Sequence, residues 1–395
     1  MSEAHEELSW DAARQVAARS FPRLGSEMLP IGAAAGRILA EDCFALAPLP
    51  FYDTSAMDGW VVSGDQPWKI VGEIPTGYLP SMDLAAGECA RIGTGGIIPT
   101  GSTAVIRWEH ATEEDGYIHG ETGAGKDIRP AGAECAAGEL LATAGTLLQP
   151  AIVGNLAGSG IDEVLVAKRP RVALFFLGDE LIHEGLPRDG KIRDSLGVQV
   201  PALLELIGAE IIEQRFINDE YQSLIGAVRD VIDTVDIIAT TGGTADGPRD
   251  HVHPLLAELG ARYLVNRIKA RPGHPMLLAE LSDSDNRKVA FLGLPGNPQS
   301  ALSAITTLGL PLMACLVGQE MDFNLPRVET SEEIETPPDF NRLVAGKIEN
   351  GKFVPAQKIG SNMLRGLAAS TGFAVCDSGT TPVGGTVRWL AIPLF

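Results

Sequence analysis

The sequence predicts a multidomain α/β protein, with a central open, mostly parallel α/β domain at 169–317 flanked by small β-rich domains. Three observations predict it. Apolar runs at 171–176, 235–240 and 289–292 each end in a glycine-containing turn. Helical stretches near 195–208, 220–233 and 298–317 are interleaved with these runs, and strands buried on both faces between helices make a parallel, doubly wound sheet. On either side of this block, short β runs are broken by glycine and proline. A length of 395 residues also exceeds what one ordinary core organises.

Taken in order, residues 4–20 have the period of an amphipathic helix, with Leu8, Ala12, Val16 and Ala17 on one stripe. Residues 30–45 are a short extended piece and a turn into the proline-containing stretch 47–51. Between 46 and 129, β runs at 60–62, 68–71, 104–108 and 117–119 predict a small β domain. Residues 130–168 hold further short β runs and a helix at Pro150–Gly158. Together, 1–45 and 130–168 are expected to form one N-terminal linker and dimerisation piece. Within 169–317 the order is strand 171–176, helix 195–208, strand 210–216, helix 220–233, strands 235–240 and 289–292, and a long apolar helix to 317. From 318 to 395, β runs at 343–348, 373–376 and 386–392 predict a C-terminal β domain.

Composition narrows the function. The formal charge of −20, from 31 basic and 51 acidic residues, gives no general attraction to nucleic acid or to an anionic membrane. An anionic ligand must therefore be held by local dipoles and a few placed cations. The five cysteines are scattered, odd in number and free of CxxC spacing, which supports neither zinc nor a disulfide framework and fits a reducing cytoplasm. The N-terminus is acidic and polar, so no signal peptide is expected. The apolar stretch 301–317 is short and contains Pro311, so no membrane insertion is expected either.

In an open parallel sheet, ligands bind beyond the carboxyl ends of the strands. Three such ends here carry turns at 178–180, 241–247 and 293–298. Glycine permits close backbone approach, and free N–H groups at a helix start attract anions with about 1 kcal/mol of dipole support. Any strand-to-helix turn taken alone also needs glycine. No GxxxxGK[ST] occurs, which argues against a P-loop enzyme. In 295–300, PGNPQS, two prolines fix a turn and Ser300 can cap a helix or hold an oxyanion. In 271–275, RPGHP, a rigid turn presents two cationic side chains, or is a surface turn. Asp58, in SAMDG, and Thr94, in RIGTGG, are site groups or turn chemistry. Asp179, Glu180, Asp246 and Asp250 follow strand ends, where carboxylates beside phosphates commonly hold Mg²⁺. His251 and His253, two apart, point in different directions on a helix and make a poor zinc pair.

In register, these motifs resemble those of the molybdopterin molybdotransferases, the MoeA family that includes the C-terminal domain of gephyrin. Residues 50–60, PFYDTSAMDGW, are similar to its PxFDxSAMDGY signature, and 91–99 to RIxTGAxxP. Residues 171–181 resemble its strand ending in GDEL, 241–250 its SGGVSxGxxD, 271–275 its KPGKP and 294–300 its LPGNPxS. The resemblance covers nearly the whole chain. It implies four domains, an elongated homodimer, and an active site between the α/β domain of one subunit and the SAMDG-bearing domain of the other. It implies insertion of molybdate into adenylylated molybdopterin, with release of AMP and assistance by Mg²⁺. Carried over, Asp58, Thr94, Glu180 and Asp250 are catalytic, with Glu180 and Asp250 as metal ligands. Gly242, Gly243, Asn297 and Ser300 line the pterin and oxyanion pocket, and Arg271, His274, Arg342 and Ser361 are its foremost oxyanion contacts. Gly178, Asp194, Ser195 and Pro275 are further cofactor-binding positions.

Several motif positions depart from the family. Phe176 and Leu177 replace a serine and threonine pair before GDEL, Ala245 replaces a serine, and Asp246 is an added acid. Arg271 and His274 replace the two lysines of KPGKP. Two functions are therefore expected to compete. One is the transferase. The other is a catalytically weakened, gephyrin-like dimeric scaffold, holding a short peptide of a cytoskeletal, cell-division or membrane protein at the cleft between the α/β and C-terminal domains.

Overall fold

The computed structural model describes residues 7–245, 247, 250–358 and 360–392. Asp246 lies outside the described residues. The chain divides into two compact units, Met28–Leu165 and Met1–Glu27 with Val166–Phe395.

The first unit is built on a six-stranded sheet in the order Ala104–Arg107, Gly59–Val62, Glu88–Ile92, Trp68–Ile74, Tyr117–Gly120, Ala111–Glu114. Alternation along Gly59–Val62 sends Trp60 and Val62 to one apolar cluster and Val61 to the other. Gly59 is required there, because a Cβ would lie 2.0 Å from the Ile106 carbonyl oxygen of the neighbouring strand. The SAMDG motif thus ends where two strands pair too closely for a side chain. The helix Pro150–Gly158 forms as expected, with proline in its first turn.

The second unit centres on a mixed six-stranded sheet. Its order is Glu210–Ile217, Arg171–Leu177, Ile237–Thr241, Lys288–Leu294, Leu277–Ser282, Arg262–Asn266. The first four strands pair in parallel, and the last two are joined on by antiparallel pairings. One face is covered by helices Leu196–Leu206 and Pro298–Val317, the other by Tyr221–Val231 and Val252–Glu258. The strands at Leu277–Ser282 and Arg262–Asn266 were not expected. The helix Pro298–Val317 is apolar and long enough to cross a bilayer, yet it is 83% buried in this core.

Residues 327–391 close a barrel. Strands Asn341–Glu349, Lys352–Pro355, Arg327–Thr330, Thr386–Ala391 and Gly372–Cys376 pair in that order, and the last returns to the first. A short strand, Ala270–Arg271, adds parallel to Asn341–Glu349 and sets Arg271 beside Arg342.

The N-terminal helix spans Trp10–Ala17 and packs in this second unit, not with the 130–168 piece to which sequence continuity had assigned it. Its buried face is Trp10, Ala13, Arg14 and Ala17, so the expected stripe was one position out of phase. Ser9 caps it by accepting the Ala12 N–H at 3.2 Å. Trp10 is fully buried and donates its indole N–H to Thr307 Oγ1 at 3.0 Å. The Arg14 guanidinium stacks 4.5 Å from the Trp10 ring, and burial pulls its pKa down to about 10. Trp10→Ala should therefore destabilise the second unit by about 3–5 kcal/mol. Guanidinium unfolding followed by amide exchange in Arg171–Leu177 reads this, and unchanged protection would refute the packing role.

Candidate functional site

The carboxyl ends of the parallel strands open into a cleft of about 660 Å³. Its walls include Gly178 and Glu180, Asp194 and Ser195, Gly242 and Gly243, Asp250, and Asn297. Gly242 and Gly243 have φ of +85° and +67°, which glycine adopts without strain. The Gly242 N–H donates to the Leu294 carbonyl at 2.8 Å, tying two of the three expected turns together.

Among the described residues, four carboxylates line the cleft, from Glu180, Asp194, Asp219 and Asp250, against one cation, Arg193. They are not equivalent. Asp194 accepts the N–H groups of Leu196 and Gly197 at 2.9–3.1 Å and so caps helix Leu196–Leu206. Asp250 accepts the Val252 N–H at 3.1 Å with one oxygen, while its other oxygen is buried without a hydrogen bond among the described residues. His253 Nδ1 is 3.7 Å from that second oxygen. Nearby, burial pushes the Tyr263 phenol up to about 12, and the Asp250 charge adds to the shift. The buried Asp250 oxygen lies in the cleft that also holds Glu180, and it is of the donor type that suits Mg²⁺, which takes one or two carboxylates and completes its shell from water and phosphate. Sequence reasoning did not single out Asp219 or Asn362. Asp219 follows an edge strand without a glycine turn, and Asn362 is a lone polar residue in a distant loop.

A second pocket, about 430 Å³, holds Arg271, His274, Pro275, Ser300, Arg342 and Ser361. It begins where the first ends. Asn297 and Pro298 face the cleft, while Gln299 and Ser300 face this pocket, with Ser361 and Asn362 divided likewise. The Gln299 N–H donates to the Ser361 carbonyl at 3.1 Å, so the loop covers the start of the helix. Arg271 stacks 4.9 Å from the Phe340 ring, and Arg342 donates to the Glu335 carbonyl at 2.6 Å. Neither guanidinium meets a carboxylate among the described residues. His274 does, with Nε2 3.1 Å from Glu7 Oε1.

Of the two hydroxyl positions before GDEL, Phe176 is buried against Phe216, with ring centres 5.1 Å apart, and Leu177 lines the cleft. In the first unit, Asp58 Oδ1 accepts the Thr94 N–H at 2.7 Å and the Thr94 hydroxyl at 2.9 Å. These two expected residues thus touch each other across 36 positions of sequence. Ser55 closes the turn by donating to the Met57 carbonyl at 2.6 Å.

Two domain families match this chain: the MoeA N-terminal region (domain I and II) over residues 8–160, and the probable molybdopterin binding domain over 173–314. A molybdopterin molybdenumtransferase of Nostoc sp. is 32% identical, covering 94% of this chain and 91% of its own. The chain belongs to the MoeA family. A Staphylococcus aureus protein of the same name is 30% identical over 78% of this chain and 76% of its own. Two solved molybdopterin biosynthesis MoeA structures from Pyrococcus horikoshii share the fold, with TM-scores of 0.81 and 0.78 at 23% and 25% identity. They cover 98% and 99% of this chain and 100% of their own.

The Thr94 bonds, the backbone one first, hold the Asp58 carboxyl below the usual carboxylate range. A lowered pKa contributes stability above the unfolded value, about 3.9, which is lost as pH falls through the folded one. The Thr94 amide resonance should therefore titrate with a midpoint below that of a free aspartate. The titration should vanish in Asp58→Asn, and a midpoint at or above the free value would refute the contact.

Proposed function

We propose that this MoeA-family chain is a molybdopterin molybdenumtransferase in molybdenum cofactor biosynthesis, inserting molybdate into adenylylated molybdopterin with release of AMP. One observation carries the reading: a glycine-walled, carboxylate-bearing cleft and a two-arginine pocket meet at the start of one helix, on either side of Pro298 and Gln299. A long phosphorylated molecule and a small tetrahedral oxyanion would then lie end to end.

The residues have separate tasks in this reading. Gly178, Gly242 and Gly243 let backbone approach the ligand closely. Glu180 and Asp250 would hold Mg²⁺, which neutralises phosphate charge and polarises the bond to the leaving AMP. Arg271, Arg342, His274 and the hydroxyls of Ser300 and Ser361 would orient the oxyanion. Asp194 shapes the cleft through its helix cap. We further propose that the protein works as a homodimer, in which the Asp58 and Thr94 pair serves the cleft of a second copy. The cytoplasm, where the substrates are made, is the proposed location.

A second reading is a gephyrin-like scaffold with weakened catalysis. It is favoured by an open groove of about 560 Å³ beside the oxyanion pocket, lined by Arg271, Pro337, Pro338, Arg342 and Gly379, which would suit a short peptide. Complementation of a strain lacking its transferase separates the readings: growth on molybdenum-enzyme-dependent medium is expected, and failure with no calorimetric heat from adenylylated molybdopterin would sink the enzyme. Arg342→Ala should weaken molybdate binding by about 1.5–3 kcal/mol, the value of a charged hydrogen bond, or roughly 10- to 150-fold in Kd. Unchanged molybdate affinity would remove Arg342 from the pocket's chemistry.

A further inference from the structure

We propose that Glu7 and His274 form a carboxylate–imidazole pair that makes oxyanion binding in the two-arginine pocket take up a proton. The inference rests on reading that pocket as an oxyanion site.

The pair is built by backbone contacts. Leu8 bridges Ile268 in parallel, and the Lys269 N–H donates to the Leu8 carbonyl at 2.9 Å. The same segment continues into the Ala270–Arg271 strand, and the Asn341 N–H donates to the Lys269 carbonyl at 2.8 Å. Glu7 is thereby delivered to the wall of the pocket, 267 positions away in sequence from the histidine it meets. On the histidine side, the Ile268 N–H donates to the His274 carbonyl at 3.1 Å, and the ring lies 5.6 Å from Phe340.

The bond constrains the proton. Glu7 Oε1 faces Nε2 at 3.1 Å, and a carboxylate accepts, so Nε2 carries hydrogen. Nδ1 is the nitrogen left for a ligand. In the neutral ring it offers a lone pair, which repels an oxyanion oxygen. In the charged ring it offers N–H, which binds one. An oxyanion therefore selects the imidazolium, and Glu7 holds the opposite nitrogen as a donor. The proton comes from solvent, adds to Nδ1, and leaves when the oxyanion leaves. Glu7 and the ligand use different nitrogens, so they cooperate rather than compete.

The other groups around the ring fit this assignment. Arg271 from the short strand and Arg342 from the barrel are fixed cations that attract the ligand at any pH. Gln299, Ser300 and Ser361 are polar and do not titrate near neutrality. Phe340 is apolar, and the next charges along the adjoining segments are Lys269 and Asp339. Glu7 is the positioning residue, acting through His274.

The test is calorimetry on the full chain with molybdate and, separately, sulfate, in buffers of different ionisation heat between about pH 6 and 8. The wild type should take up as much as one proton per oxyanion, with affinity falling towards about tenfold per pH unit as pH rises. His274→Lys should bind with no proton uptake and a flat pH profile. Glu7→Gln should bind more weakly at neutral pH and recover as pH is lowered. His274→Gln, the smaller change, should bind weakly at every pH, and circular dichroism checks that each variant is folded. Proton uptake that persists in His274→Lys, or Glu7→Gln binding that is unchanged or tighter, overturns the pair. Wild-type binding without proton uptake overturns the pair alone. No wild-type heat at any pH overturns the pocket reading and the pair with it.

Discussion

Everything at the oxyanion end depends on one short parallel pairing, Ala270–Arg271 against Asn341–Glu349. It sets Arg271 in register with Arg342 on the wall of a closed barrel. Like charges placed side by side on neighbouring strands destabilise each other. Here the strain is eased by the Phe340 ring under Arg271 and the Glu335 carbonyl on Arg342, and not by a carboxylate. Such partners stabilise guanidinium groups without neutralising them. Two charged forks are left facing one small volume, in a chain whose net charge is −20. A tetrahedral oxyanion, the ligand proposed for this pocket, would satisfy both.

The neighbouring cleft has the opposite electrostatic character. Among the described residues its carboxylates outnumber its arginine, and an anionic ligand would be repelled by them without a counter-ion. The glycine turns supply dipoles, but dipoles of about half a charge do not balance three uncommitted acids. The unbonded oxygen of Asp250 marks where a cation would be most stabilising. The two halves of the site thus differ in character: fixed guanidinium groups on one side, and on the other carboxylates whose charge a divalent ion would offset in the proposed reaction.

Much of this was legible in the sequence. Long apolar runs at 171–176, 235–240 and 289–292 announced the parallel strands, because strands buried on both faces carry no alternation to misread. The antiparallel edge, Arg262–Asn266 with Leu277–Ser282, was not legible. Arg262, Glu280 and Lys288 lie across neighbouring strands and pair there, so its charges look like a surface loop in one dimension. The helix phase was missed because Trp10 and Arg14, absent from the expected stripe, are both buried and stacked. Arg342 and Ser361 came from family resemblance alone, since nothing local distinguishes either. Glu7 had no local signal at all, because its meaning is a contact with His274 made by chain crossing.

The departures from the family pattern weigh less in three dimensions than they do along the chain. Strand alternation separates the two lost hydroxyls: Phe176 is buried in the sheet's apolar core, where it packs on Phe216, and only Leu177 borders the cleft. Arg271 keeps its charge and gains an aromatic face that a lysine would use less well. His274 exchanges a fixed cation for a conditional one, with a carboxylate held against it. The cleft has therefore lost one hydroxyl from its wall, and the oxyanion pocket retains two permanent charges. Both guanidinium groups thus remain open to a ligand, a feature that the proposed transferase reading uses for the oxyanion.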